Sequence, residues 1–434
     1  MPIGYTLLDP LIVLAGTGMA LYFLATYPVR LMGWMPAALT LYFFIPFVTL
    51  MTLWQTVPML LAGRVLLNGK LRVASSAKPI MLFFLIVFFS SSCYALVAGS
   101  DGSRAAIRVI YYTGLFALMS FSYEMARRPE SYEIFLKGLV VTGAILAAYA
   151  AYQIFAVYGG LPLRGIVRGT TGVDVAYEYG VLRVNSFANE PKRLGYVLFV
   201  CGMASLFLAR MWPRWKRRLK WVGYGTLFMS LFTFSGSYFL SVFLFTCIAL
   251  LLYPSFATKY VVYTLPLVAL VVLVGAFFPE LEIFEAIQQG YVRREQEIEI
   301  GLDGTQVYRQ EFYAWDYLKR YPIAAFFGVG LGQYFSTLFG EYGAGVGINA
   351  YGGLLPLNST FLEMVFDFGG AATVMFYAAI TWLILNLRKV GESYLSFALL
   401  FLTIQSFTIL TIQFMVLFAG VGVARLTMYK ESVL

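Results

Sequence analysis

The 434-residue chain contains no histidine. Its chemistry is therefore not that of a Ser-His-Asp or Cys-His nucleophile, a histidine-ligated zinc or haem, or a histidine proton relay. A base must be a carboxylate, a tyrosine or a lysine. Glu363 and Asp367 stand one helical turn apart at the start of an apolar run. An ionisable group at membrane depth is a functional candidate; the plainer account is a carboxylate favoured by a helix N-terminal dipole. Glu190 is the second candidate base, in the run Asn189-Glu190-Pro191-Lys192-Arg193. Pro191 is placed for the first turn of a helix, whose free N–H groups and positive end suit an anion. Asn189 or Glu190 serves equally as the N-cap.

The cations assigned to the external face, against the positive-inside rule, are nearly all arginine: Arg30, Arg104, Arg108, Arg164, Arg168, Arg183, Arg193, Arg293, Arg294, Arg309 and Arg320, with Lys192 and Lys319. Guanidinium is the group that grips phosphate bidentately. Any single arginine is explained by a neighbouring carboxylate such as Asp101, Glu190 or Glu311. Together, over a bilayer, they point to an anionic ligand, and a lipid diphosphate is the natural candidate. The sequence has no D-x-D or comparable carboxylate cluster for a divalent metal, so no metal or cofactor is expected and arginines take that place. Cys93, Cys201 and Cys247 fall in apolar runs, where a thiol acts as a small hydrophobe and builds neither disulfide framework nor zinc site.

The elements that must position these groups are membrane spans. With 60% hydrophobic and 12% charged residues and a mean hydropathy of +0.77, the chain is expected to be an all-α polytopic membrane protein forming one membrane domain over residues 1–434. The first apolar run lacks a basic n-region and a cleavage pattern, and reads as a retained span. Apolar runs predict spans near 5–24, 35–54, 79–98, 105–123, 134–157, 194–211, 260–278 and 360–385. Two further stretches, 221–253 and 394–423, are each long enough for two short spans, the first broken at Ser235-Gly236-Ser237 and the second a tight helical hairpin. About twelve spans result, with both termini and the basic loop 210–220 cytoplasmic by the positive-inside rule. Residues 158–193 form a smaller periplasmic loop and 279–358 a large one. Within the large loop, 306–321 has helical periodicity, with Tyr308, Phe312, Trp315 and Leu318 as its apolar stripe and Arg309, Tyr313, Asp316 and Arg320 beside it. Gly328, Gly330 and Gly332 permit a turn or close packing, and the glycine-dense run 340–353 reads as a lid.

Three stretches resemble the O-antigen polymerase and O-antigen ligase superfamily, bacterial membrane glycosyltransferases of the GT-C type. They are Arg183 to Gly195; Arg309 to Tyr334 with Tyr321-Pro322 and Gly328-Val329-Gly330-Leu331-Gly332; and Asn358-Ser359-Thr360-Phe361-Leu362-Glu363 followed by Phe368-Gly369-Gly370. Where the ligases carry a histidine just before the Asn, this chain has Leu357, which favours the polymerase branch. The resemblance implies an enzyme of the bacterial inner membrane, its site facing the periplasm. It would transfer a growing glycan from undecaprenyl diphosphate onto a lipid-linked repeat unit during lipopolysaccharide or other surface-polysaccharide synthesis. Arg183 and Arg309 would stabilise the leaving diphosphate and Glu363, or Glu190, would take the acceptor proton; a single direct displacement inverts the anomeric centre. Arg193, Arg293, Arg294, Asn189, Tyr313, Arg320 and Asn358 would bind substrate. Donor and acceptor are both undecaprenyl-diphosphate-linked oligosaccharides; a chain-length regulator protein is a further partner, and no nucleic acid is expected. A ligase acting on lipid A core and a lipid-linked oligosaccharide flippase are the alternatives.

Overall fold

The computed structural model describes residues 18, 22, 28–40, 78–97, 99, 101–161, 176–178, 181–188, 190–253, 310–343, 357 and 359–433. In chain order the helices are α1 (Pro28–Thr40), α2 (Lys78–Val97), α3 (Gly102–Ala126), α4 (Pro129–Tyr158), α5 (Pro191–Met211), α6 (Lys216–Leu231), α7 (Gly236–Leu252), α8 (Gln310–Arg320), α9 (Pro322–Phe327), α10 (Tyr334–Tyr342), α11 (Thr360–Phe368), α12 (Gly370–Lys389), α13 (Ser393–Gln405) and α14 (Ile412–Val433). Between α4 and α5, β1 (Ala176–Glu178) pairs antiparallel with β2 (Val181–Arg183), Tyr177 opposite Leu182. The architecture is mostly helical, and α3, α4, α5, α12 and residues 412–432 of α14 are long and apolar enough to cross a membrane.

Local chemistry explains where these helices begin. Asp101 caps α3, its side chain accepting from the backbone N–H of Arg104. Pro129 and Pro191 open α4 and α5, at positions where the missing N–H costs nothing. The helices then approach through small residues, which let backbones come close. A Cβ on Gly202 of α5 would lie 3.1 Å from the carbonyl oxygen of Gly223 on α6. A Cβ on Gly420 of α14 would meet Ser122 Oγ of α3 at 2.0 Å. Around these crossings the core is aromatic: Phe135 packs on Phe418 with ring centroids 5.2 Å apart, and Phe199 on Phe401 at 4.1 Å.

The stretches 221–253 and 394–423 each hold two helices: α6 and α7 break at residues 232–235, just ahead of the expected Ser235-Gly236-Ser237, and α13 and α14 at 406–411. The expected single span 360–385 needs correcting. It is two helices, because Gly369 adopts φ 88 and ends α11 after nine residues. A Cβ there would lie 2.2 Å from the carbonyl oxygen of Phe326, so close backbone packing forces the break. In the loop, α8 starts at Gln310; Thr305 to Arg309 lie outside the described residues. Pro322 ends α8 as expected but also opens α9. The buried face of α8 is Ala314 and Leu318, while Trp315 is 46% exposed, so the apolar stripe read from the sequence is rotated toward Ala314. Residues 344–356, most of the expected lid, and the spans expected at 5–24 and 260–278 lie outside the described residues apart from positions 18 and 22.

Candidate functional site

Glu363 and Asp367 sit on the same face of the short helix α11, 2% and 0% exposed. Ser359 caps that helix, accepting from the Leu362 N–H, so neither carboxylate does the capping. Two buried carboxylates one turn apart need partners, and both find them in α3. Arg108 Nη2 pairs with Glu363 Oε1. One turn further along α3, the Tyr112 hydroxyl donates to Asp367 Oδ2 at 2.9 Å.

The loop supplies the rest. Gly332, at φ 70, turns its N–H onto Asp367 Oδ1 at 2.9 Å. A side chain there would strike the carbonyl oxygen of Arg104 at 2.9 Å, so this position needs both the left-handed backbone and the missing Cβ. Val329 N–H donates to the carbonyl of Phe366, closing the loop over the end of α11. Next to it Gln333 exchanges hydrogen bonds with the Asp101 backbone, donating at 2.9 Å and accepting at 3.2 Å. Arg104 pairs with Asp101 at 2.9 Å and lies over the Phe335 ring. The glycine run thus serves close approach and one backbone donor, and needs no nucleotide.

Around the Arg108–Glu363 pair a polar wall forms from separate helices. The Arg108 guanidinium lies over the Tyr111 ring, 5.6 Å from its centroid, and Gln413 of α14 donates to the Tyr111 hydroxyl at 2.6 Å. The charges of Glu363, Arg108, Arg193 and Asp367 all reach that hydroxyl, which puts Arg193, buried in the first turn of α5, in the same neighbourhood. Tyr334 faces the cluster from the loop. Burial pushes its hydroxyl up to about 12, with the charges of Arg108 and Glu363 also acting on it, so it stays a donor at neutral pH.

The other expected residues distribute differently. Arg183 is half-buried at the end of β2, and its Nε donates to the carbonyl of Thr233 in the α6–α7 break. Glu190 occupies the N-cap position of α5 without a side-chain cap, and its carboxylate pairs with Lys192 at 3.2 Å. Tyr313 and Arg320 belong to a second polar cluster. There Arg320 pairs with Asp316 at 2.7 Å, the Tyr342 hydroxyl donates to Asp316 at 2.7 Å, and Tyr313 packs on Tyr342. Burial and then that bond to the Asp316 carboxylate push the Tyr342 hydroxyl upward. Arg320 therefore has the carboxylate partner that the plainer account of it expects. Asn189, Arg293, Arg294, Arg309 and Asn358 lie outside the described residues. The sequence reading passed over Arg108 as a site residue, together with Tyr111, Tyr112, Gln333 and Gln413. The one signal available for Arg108 was an arginine a full turn inside an apolar helix, after Arg104.

Among the described residues no three Asp, Glu or Cys side chains gather as metal ligands. What the arrangement offers is a buried carboxylate held by a guanidinium, with a second guanidinium and two tyrosine hydroxyls close by. Such a site can take a proton and counter negative charge developing nearby. No protein-family model matches the chain, and no curated protein matches it.

Proposed function

We propose that the protein is a surface-polysaccharide polymerase of the O-antigen polymerase type, a glycosyltransferase of about twelve spans in the bacterial inner membrane. It would use undecaprenyl-diphosphate-linked glycans as donor and acceptor, with its site at the periplasmic face. The observation that carries the proposal is Glu363: a buried carboxylate paired with Arg108 of α3, beside the Tyr111 hydroxyl that the charge of Arg193 of α5 also reaches. In the reaction the acceptor hydroxyl attacks the anomeric carbon of the donor. The new C–O bond forms as the bond to the diphosphate breaks, and the hydroxyl proton passes to Glu363. Arg108 holds one carboxylate oxygen and so orients the other toward substrate. Arg193, Arg183 and Arg309 counter the charge growing on the leaving diphosphate, the largest demand in such a transition state. Displacement in one step inverts the anomeric centre.

Within the superfamily resemblance, Leu357 favours the polymerase over the ligase. The position that is histidine in the ligases is fully buried here in an apolar cluster with Leu338, Leu362 and Phe366. It carries packing, and proton chemistry falls to Glu363.

The test is glycan laddering in a polymerase-null cell supplied with the native repeat unit and complemented with this protein. Wild type is compared with Glu363→Gln, Arg183→Ala and Arg309→Ala at matched membrane levels. A ladder from wild type that collapses to single repeats in the variants supports the proposal. Single repeats reaching the final acceptor without any ladder move the assignment to the ligase. Normal ladders from all three variants overturn the arginine-dependent site.

A further inference from the structure

Beside the polar cluster, α2, α3, α11, α12 and α14 line a partly open cavity of about 170 Å³ whose lining runs along α14 from Ile412 to Lys430. Its walls are side chains such as Phe88, Leu115, Met119, Phe376, Ile380 and Val416. An engineered apolar cavity of about 150 Å³ takes up a benzene ring, so this one accommodates a stretch of a single hydrocarbon chain. Its two ends differ in charge. Tyr112 closes one end, with its hydroxyl committed to the Asp367 carboxylate, so negative charge lies behind that wall. At the other end is Lys430, in the last turn of α14, exposed and without an ion-pair partner among the described residues. Arg127 and Arg425 of the same helix ends are already matched, with Glu431 at 3.0 Å and Glu392 at 2.6 Å.

We propose that this cavity binds one acyl chain of an anionic glycerophospholipid whose phosphate pairs with Lys430. The polarity of the cavity selects the direction. An anionic headgroup is repelled at the Asp367 end and attracted at the Lys430 end, while the chain replaces lipid contacts along the apolar walls. The inference rests on the chain being membrane-embedded and is independent of glycosyl transfer.

The experiment is native mass spectrometry of the purified full-length protein in detergent, titrated with phosphatidylglycerol or with phosphatidylcholine of the same acyl chains. Wild type is expected to retain one phosphatidylglycerol about fivefold more strongly than phosphatidylcholine, the preference one lysine near a lipid headgroup supplies. Lys430→Gln removes that preference and still binds both lipids. Ala379→Phe, which fills the cavity from α12, removes the retained lipid of either kind. An undiminished preference in Lys430→Gln overturns the headgroup site, and wild-type retention in Ala379→Phe overturns the cavity. Recovery of a polyprenyl phosphate as the Ala379→Phe-sensitive lipid replaces the proposed occupant. Laddering is scored separately, so a failed polymerase assignment leaves this result standing.

Discussion

Replacing Arg108 with methionine should be among the most damaging single changes in the described structure, and a second change should undo most of the damage. Arg108 is 19% exposed at its side chain and Glu363 only 2%. Methionine keeps much of the length of the arginine stem but leaves Glu363 charged and buried without its guanidinium. Removing one partner of a buried ion pair costs about 3–5 kcal/mol. The partial exposure of Arg108 admits some water, so the lower end, about 3 kcal/mol, is the expected loss. That is a large part of the stability of a typical protein, about 5–15 kcal/mol. The double variant Arg108→Met with Glu363→Leu removes both charges and fills the space with apolar atoms, an exchange that is often neutral or stabilising. The assay is denaturant unfolding of the detergent-solubilised protein for wild type, both single variants and the double, completing a cycle. The double variant is expected to recover stability close to wild type while making no glycan ladder, which separates folding from chemistry. An Arg108→Met protein as stable as wild type would refute the claim that this guanidinium holds the buried charge. A double variant that still makes ladders would refute the catalytic role of Glu363.

Two further outcomes follow from the same neighbourhood. Gly332→Ala should lose about 1–2 kcal/mol from the left-handed backbone alone, plus the cost of displacing the Arg104 carbonyl; a midpoint equal to wild type in thermal unfolding would show that the loop adopts another path. Asp101 is partly desolvated, which raises its pKa, yet the Arg104 N–H and the Ser103 hydroxyl bring it below the ordinary value of 3.8. A lowered carboxylate stabilises the fold fully above its unfolded pKa and loses that contribution as pH falls through the folded one. Asp101→Asn should therefore flatten the acid limb of the stability profile below about pH 4, and an unchanged acid limb would contradict the cap.

How much of this was legible in the sequence varied with how local the signal was. The breaks at 232–235 and 406–411 interrupt long apolar runs; length left room for one helix or two, and splitting both put the basic residues of the short loops on one face. The break at Gly369 did not show, because two glycines inside an apolar run read equally well as a continuous span. What forces it is Phe326, brought against Gly369 by a loop some forty residues earlier. Glu363 and Asp367 were readable as a pair, since one helical turn is a sequence property. Arg108 was not readable as their partner: the bond to Glu363 joins residues separated by 255 positions, and nothing near Arg108 in the chain announces it. Arg320 shows the converse. Its pairing with Asp316 is an i,i+4 contact, the kind a periodic sequence displays openly.

The break after α11 also orders the way the molecule is assembled. A nine-residue helix rises only about 13 Å, too short to cross a bilayer of about 30 Å. Its exposed backbone end is tolerable only against protein. That protein is the 328–332 loop, whose Val329 and Gly332 N–H groups meet Phe366 and Asp367, while Gly332 and Gly330 lie against α3 and α2. During synthesis α2 and α3 emerge first, then the loop, and α11 last. Until residue 369 has left the ribosome, the loop has no seat and Arg108 has no carboxylate. The Arg108–Glu363 pair is therefore a late product of biogenesis.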